Sequence, residues 1–213
     1  WAVRSGHWSF RHEADLKAKI AAEIDERAAL FDAHDVRRRA EEQRELLQRY
    51  EKLRPEDRLG IARTRRELAG ILELLGEVEE AKSLLASALD EVKDRKESES
   101  LFLRGELLRS LGRLHLVSGQ FQESEQTLDE SLASFRRFGD PHSEAATRVD
   151  LGRLALARGE LARAETMLEE ALTTFRRLGD PHSEAITLRE LGSVCRGRGE
   201  LARAETMLKE ALT

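Results

Sequence analysis

Cysteine is nearly missing from this chain of 213 residues: Cys195 stands alone. That excludes an internal disulfide framework and a cysteine metal cluster, and points to an intracellular, cytoplasmic setting. Proline is almost as scarce. Pro55, Pro141 and Pro181 are the only three, and each falls where a helix is expected to start. Aromatic residues make up 5% against 36% charged residues, a balance that suits surface-rich helices rather than strands. No run approaches the length of about 18 apolar residues that a membrane span needs, and no charged start with an apolar stretch reads as a signal peptide. A soluble chain without membrane contact is expected. The net charge of −5 argues against general nucleic-acid binding, which favours a basic balance.

What is present is repetition. Residues 135–144 read FRRFGDPHSE and residues 175–184 read FRRLGDPHSE, 40 residues apart. Laying 111–150 over 151–190 gives 21 identities in 40 positions, and 151–173 over 191–213 gives 17 in 23. Self-similarity at this period implies an all-α array whose units stack because none can bury a core alone. The repeated stretch also punctuates it. Gly139 and Gly179 are suited to the left-handed conformation that ends a helix, and Asp140 and Asp180 are N-caps ahead of Pro141 and Pro181 at the first helical position. Glu144 and Glu184 then fall in the new first turn, where negative charge suits the helix dipole.

Helices are expected at about 57–75, 78–94, 99–118, 121–138, 141–158, 161–178, 181–198 and 201–213, with Gly76, Gly119, Gly159 and Gly199 in the turn inside each pair. Residues 57–213 thus divide into repeats over about 57–94, 99–138, 141–178 and 181–213. Residues 1–56 are expected to hold divergent N-terminal helices, a degenerate repeat or a cap. Apolar spacing predicts one helix over 12–32 (Leu16, Ile20, Ile24, Ala28, Phe31) and a second to Leu53 (Val36, Leu46, Leu47, Tyr50, Leu53). Trp1 to Phe10 is an aromatic stretch that reads as the remnant of an earlier repeat or as a cap. A start at Trp1 and an end in mid-repeat suggest a piece of a longer protein.

The units share a Leu-Gly pair, a turn glycine seven residues after that Gly, then Ala, Leu and Ala in the second helix; the unit at 68 keeps Leu68, Gly76, Ala81, Leu85 and Ala88 but has Ala69 in place of the Gly. Leu151, Gly152, Gly159, Ala164, Leu168 and Ala171 show it in one unit, and Leu191, Gly192, Gly199, Ala204, Leu208 and Ala211 in the next. The unit at 111 has Ser124 and Ser131 in place of the alanines. This pattern resembles the tetratricopeptide repeat, in a 40-residue form rather than the usual ~34. The wording is most similar to the sensor arms of bacterial signal-transduction ATPases with numerous domains (STAND proteins) and related transcriptional regulators. The resemblance implies a right-handed α-solenoid of antiparallel helix pairs that works by protein–protein interaction.

In that family the first helix of each pair lines the concave face. Carried over residue by residue, the groove positions are Arg66 and Gly70, Arg109 and Arg113, Val149 and Arg153, and Arg189 and Ser193, with Arg196 one turn on. Two readings stand. The arginines grip carboxylates or phosphates of a partner, or they pair internally with Glu67, Glu106, Asp150 and Glu190. Asparagine is absent, so the family's carboxylate clamp built on Lys and Asn is not carried over. On the last helix Leu201, Ala204, Met207, Leu208, Ala211 and Leu212 form an apolar stripe that invites self-association.

Catalytic chemistry finds no support. No Gly-rich phosphate loop or HExxH occurs, His142 and His182 recur through repeat copying, and Cys195 is expected to be a small buried thiol. No catalytic residue, metal or cofactor is expected. The sequence reads as the sensor or interaction module of a multidomain bacterial signalling or transcription-regulating protein, binding a peptide, an acidic protein segment or a small anionic ligand on the concave face. The alternative is a passive scaffold that associates with its own kind through the C-terminal end.

Overall fold

The computed structural model describes residues 33–93, 95 and 97–212. The aromatic stretch 1–10 and the helix expected over 12–32 lie outside the described residues. Among those described there are nine helices and no strand: α1 (Ala33–Leu53), α2 (Arg58–Leu75), α3 (Val78–Val92), α4 (Ser98–Val117), α5 (Phe121–Phe138), α6 (Pro141–Ala157), α7 (Leu161–Leu178), α8 (Pro181–Gly197) and α9 (Leu201–Glu210). The helices expected to reach 118, 158 and 198 end one residue earlier. There Ser118, Arg158 and Arg198 close the last turn with their own N–H groups on Leu114, Leu154 and Val194. The helix expected over 78–94, α3, ends at Val92, and α9 stops at Glu210 rather than 213.

The repeated stretch between pairs behaves as its chemistry requires. Gly139 and Gly179 take φ of 84° and 68°. Asp140 accepts from the backbone N–H of His142 at 3.0 Å and Asp180 from that of Ser183 at 3.1 Å. Arg136 and Arg176 reach across the break to Glu144 and Glu184 at 2.9 and 2.7 Å, so one helix end is tied to the next helix start. Pro55 differs from the other two prolines. Its helix begins at Arg58 behind the Asp57 cap, which leaves Pro55 in the preceding turn.

Within each pair the small residues set the helix separation. A β-carbon on Gly112 or Gly152 would stand 2.7 or 2.8 Å from the Cγ of Leu128 or Leu168, and both leucines are fully buried. Ala81, Ala88, Ala164 and Ala171 are likewise buried in the seam. Ser124 and Ser131 replace alanine there without stranding a hydroxyl, because they donate to the carbonyls of Gly112 and Gly105 at 2.8 Å each. Buried apolar residues form clusters strung along the array rather than one central core, as expected where each unit touches only its neighbours.

The stacking has a direction. The first helices of successive pairs touch one another, α2 with α4, α4 with α6 and α6 with α8, whereas no such contact joins α3, α5, α7 and α9 to each other. The first helices therefore lie on the inside of the bend, and their exposed sides line the concave face.

At the C-terminal end the apolar stripe is narrower than its spacing suggests. Ala204 is buried, 3% exposed, because it faces α8 across the seam of the pair, so it does not belong to an open surface. Met207, Leu208 and Ala211 are half-buried. Leu201 and Leu212 are open, and Leu212 is 88% exposed where its counterpart Leu172 is 7%.

Candidate functional site

The concave face is crossed by a ladder of ion pairs, each rung joining one first helix to the next. Arg66 on α2 meets Glu106 on α4 at 2.8 Å. Arg109 on α4 meets Asp150 on α6 at 2.6 Å. Arg153 on α6 holds Asp150 of its own helix at 3.0 Å and Glu190 on α8 at 3.1 Å, and Arg189 shares Glu190 at 3.2 Å. Arg113 on α4 runs the other way, back to Glu73 on α2, with Nη2 at 2.8 and 3.0 Å from the two carboxylate oxygens. Arg196 stands apart: it is exposed and donates to the Ser193 hydroxyl at 2.9 Å.

Three of the four carboxylates read as internal partners, Glu106, Asp150 and Glu190, occupy rungs. Glu67 is exposed and makes no ion pair among the described residues. Glu73 was not legible as a partner, although it lies 40 residues before Arg113, one repeat step away. Asp150 is the anchor of the ladder. Its side chain is fully buried between Arg109 and Arg153, and a buried carboxylate survives only when paired and hydrogen-bonded.

Burial and charge pull the flanking groups in different directions. Burial pushes the Glu106 carboxyl above its ordinary range, against the opposing pull of Arg66, Arg109 and Arg63. Burial also works against the charge on Arg113, but Asp150 and Glu73 outweigh it and hold that guanidinium firmly charged.

Two clefts open along the ladder. One, of about 460 Å³, lies over α4, α6 and α8; its charged lining is Arg109, Arg113 and Arg153 with Glu73 and Asp150, and its apolar lining includes Leu116, Val117, Val149 and Ile186. The other, of about 740 Å³, lies over α2 and α4 between Arg66 and Val117. Both contain Glu73, Arg113 and Val117. The apolar side chains were missed by a reading that followed charge alone. Leu74 and Val117 are 65% and 70% exposed at the ends of α2 and α4, where a short apolar residue ahead of the turn glycine gives no sequence sign of exposure.

Cys195 and His142 are both engaged in the packing of the array. Cys195 is buried, and burial pushes its thiol up. His142 bonds Asp180 at 2.8 Å and meets Phe175 edge-on, linking the starts of α6 and α8. Among the described residues no group of three or more His, Cys, Asp and Glu is placed to hold a metal ion, and no helix is long and apolar enough to cross a membrane.

Comparison with known proteins fits this architecture. No curated protein matches the sequence. Among solved structures, BtubC from P. vanneervenii is 23% identical over 83% of this chain and 72% of its own, with a TM-score of 0.71. A putative kinesin light chain from Podosopora anserina with nearly identical TPR-like repeats is 21% identical over 92% and 93%, TM-score 0.63. A signal-transduction ATPase with numerous domains from Pyrococcus horikoshii, which carries a tetratricopeptide repeat sensor, is 19% identical over 78% of this chain but 25% of its own, TM-score 0.67. These likenesses are of fold alone, a right-handed α-solenoid of antiparallel helix pairs. The family model for the tetratricopeptide repeat matches residues 103–177 and again 143–213, together 103–213 and more than half of the sequence, so this chain belongs to the tetratricopeptide repeat family.

Proposed function

We propose that the array is the sensor or partner-binding arm of a multidomain bacterial signalling or transcription-regulating protein, and that it takes an acidic protein segment along the concave face. One observation carries this reading. With Glu190, which Arg153 and Arg189 share, four guanidinium groups (Arg109, Arg113, Arg153 and Arg189) stand against three carboxylates (Glu73, Asp150 and Glu190) beside an apolar wall of Leu116, Val117, Val149 and Ile186, so the excess charge is positive and it adjoins apolar surface. An extended peptide alternating acidic and apolar side chains satisfies both. Arg189 and Arg196, more exposed than the rest, continue the basic track toward α8. A small anionic ligand would use the charge but leave the apolar wall wet.

The test uses an octapeptide of alternating glutamate and leucine, with its glutamine–leucine counterpart as control, read by fluorescence anisotropy. Replacing Arg109 and Arg153 together is a poor probe, because it strands the Asp150 carboxylate in the interior. The variant of choice is Arg113→Gln/Arg189→Gln, its helicity checked by circular dichroism. The reading expects the glutamate peptide to bind at least about tenfold tighter than the control, and the variant to lose that preference, since each charge-assisted bond contributes about 1.5–3 kcal/mol. Equal binding of both peptides would overturn it.

A second reading, a scaffold that pairs with another copy through its C-terminal end, is favoured by the open side chains of Leu201 and Leu212. It needs no ligand, and it treats the rungs as struts.

A further inference from the structure

We infer that Glu73 is an internal occupant of the seat that a partner's carboxylate takes, so that the groove is latched until an acidic segment displaces it. The inference rests on the proposed groove function and adds its regulation.

Three observations single out this rung. Among the described pairs joining first helices, every other arginine reaches forward to an acid on the following helix: Arg63 to Glu99, Arg66 to Glu106, Arg109 to Asp150 and Arg153 to Glu190. Only Arg113 reaches back. Its register is equally particular. Counting three residues before each turn glycine gives Glu73, Leu116, Leu156 and Arg196, so the acid is peculiar to the first of these units and no repeat rule requires it.

The carboxylate is also poorly placed for the helix that carries it. Glu73 lies in the last turn of α2, where the N–H of Gly76 closes onto the Glu73 carbonyl at 3.1 Å. Negative charge at that end opposes the helix dipole. It is held there by Arg113, and both partners reach solvent, at 27% and 40% exposure. Asp150, by contrast, is buried and doubly held. An incoming carboxylate therefore meets here a rung that exchanges more readily than the buried one at Asp150.

Position gives the exchange a consequence. Glu73 and Arg113 belong to the lining of both clefts, and their pairing is the bar between them. When Glu73 swings to water, Arg113 is free for the ligand and the two clefts become one channel past Val117. The partner this fits is an extended segment with an acidic residue seated on Arg113 and bulky apolar residues on either side, against Leu74 in one cleft and Ile186 in the other.

The test measures the glutamate–leucine octapeptide on the full chain, the Glu73→Gln and Glu73→Ala variants, and each of these combined with Arg113→Gln. The latch predicts about fivefold tighter binding in both single variants, no gain for the glutamine–leucine peptide, and no gain once Arg113 is gone. Melting curves confirm that the variants are folded, and the alanine variant guards against a new bond made by the glutamine amide. Unchanged or weaker binding in both single variants, with the parent still binding and Arg113→Gln still damaging, would overturn the latch and leave the groove function standing. Binding by the variants but not by the parent would support the latch in its strongest form. No binding by parent or variants would overturn both.

Discussion

Leu168 seats its branch point where Gly152 has no side chain: a β-carbon there would stand 2.8 Å away. The seam between α6 and α7 is thus set by the absence of one methyl group. Gly152→Ala is expected to cost about 1–3 kcal/mol through overpacking, offsetting any gain in helix propensity. A β-carbon on Gly192 would stand 3.4 Å from the Cγ of Leu208, an ordinary contact. Gly192→Ala is therefore expected to be neutral or mildly stabilising, and urea denaturation of the two variants side by side checks the contrast.

The buried anchor of the ladder predicts a larger effect. Asp150→Asn keeps the shape but leaves two arginines without their shared charge, and a cost of about 3 kcal/mol is expected. Glu106→Gln should cost less. Burial pushes that carboxyl up against the pull of its arginines, so losing the charge removes a desolvation cost along with the Arg66 pair. A smaller drop in melting temperature at pH 7 than for Asp150→Asn is expected.

On the outer side, the hydrogen bonds of Arg158 and Arg163 hold Glu125 below the ordinary glutamate value of 4.5. A depressed folded-state pKa means that this contribution is complete above about pH 4.5 and is lost as the pH falls through and below it. Thermal melts from pH 7 to pH 3 should show a decline that begins near that value, and Glu125→Gln should make it shallower while lowering stability at pH 7. The opposite slope, with stability rising toward acid, would contradict the assignment.

The C-terminal end yields a prediction about mass. Leu212 is 88% exposed, and burying about 400 Å² of apolar surface there contributes roughly 10 kcal/mol gross before the cost of association. If the scaffold reading holds, light scattering shows mass rising with concentration, and Leu201→Glu/Leu212→Glu abolishes the rise. A monomer mass at every concentration removes that reading.

Much of this was legible in the sequence because the punctuation is chemical. Gly139 and Gly179 with Asp140-Pro141 and Asp180-Pro181 can do little else than end one helix and start another, so the helix starts at 141 and 181 needed no tertiary information. The rungs were half legible. A repeat step links Arg109 to a neighbourhood containing Asp150, but whether a guanidinium turns to its own helix, the next or the previous one depends on packing, and Glu73 was missed for that reason. Ala204 shows the converse failure. Helical spacing places it among apolar neighbours, but only the packing of α9 against α8 decides which side of that face is closed. The hydroxyls of Ser124 and Ser131 were legible as small residues and not as donors, because their acceptors lie on another helix.

The most direct test of the account is to map the amides of the chain that shift in nuclear magnetic resonance spectra as the glutamate–leucine octapeptide is added. The account predicts shifts concentrated on α4, α6 and α8 around Arg113, Asp150 and Ile186, extending to Glu73 and Leu74 on α2. Shifts concentrated instead on α3, α5, α7 or α9 would place binding on the outer face and contradict it.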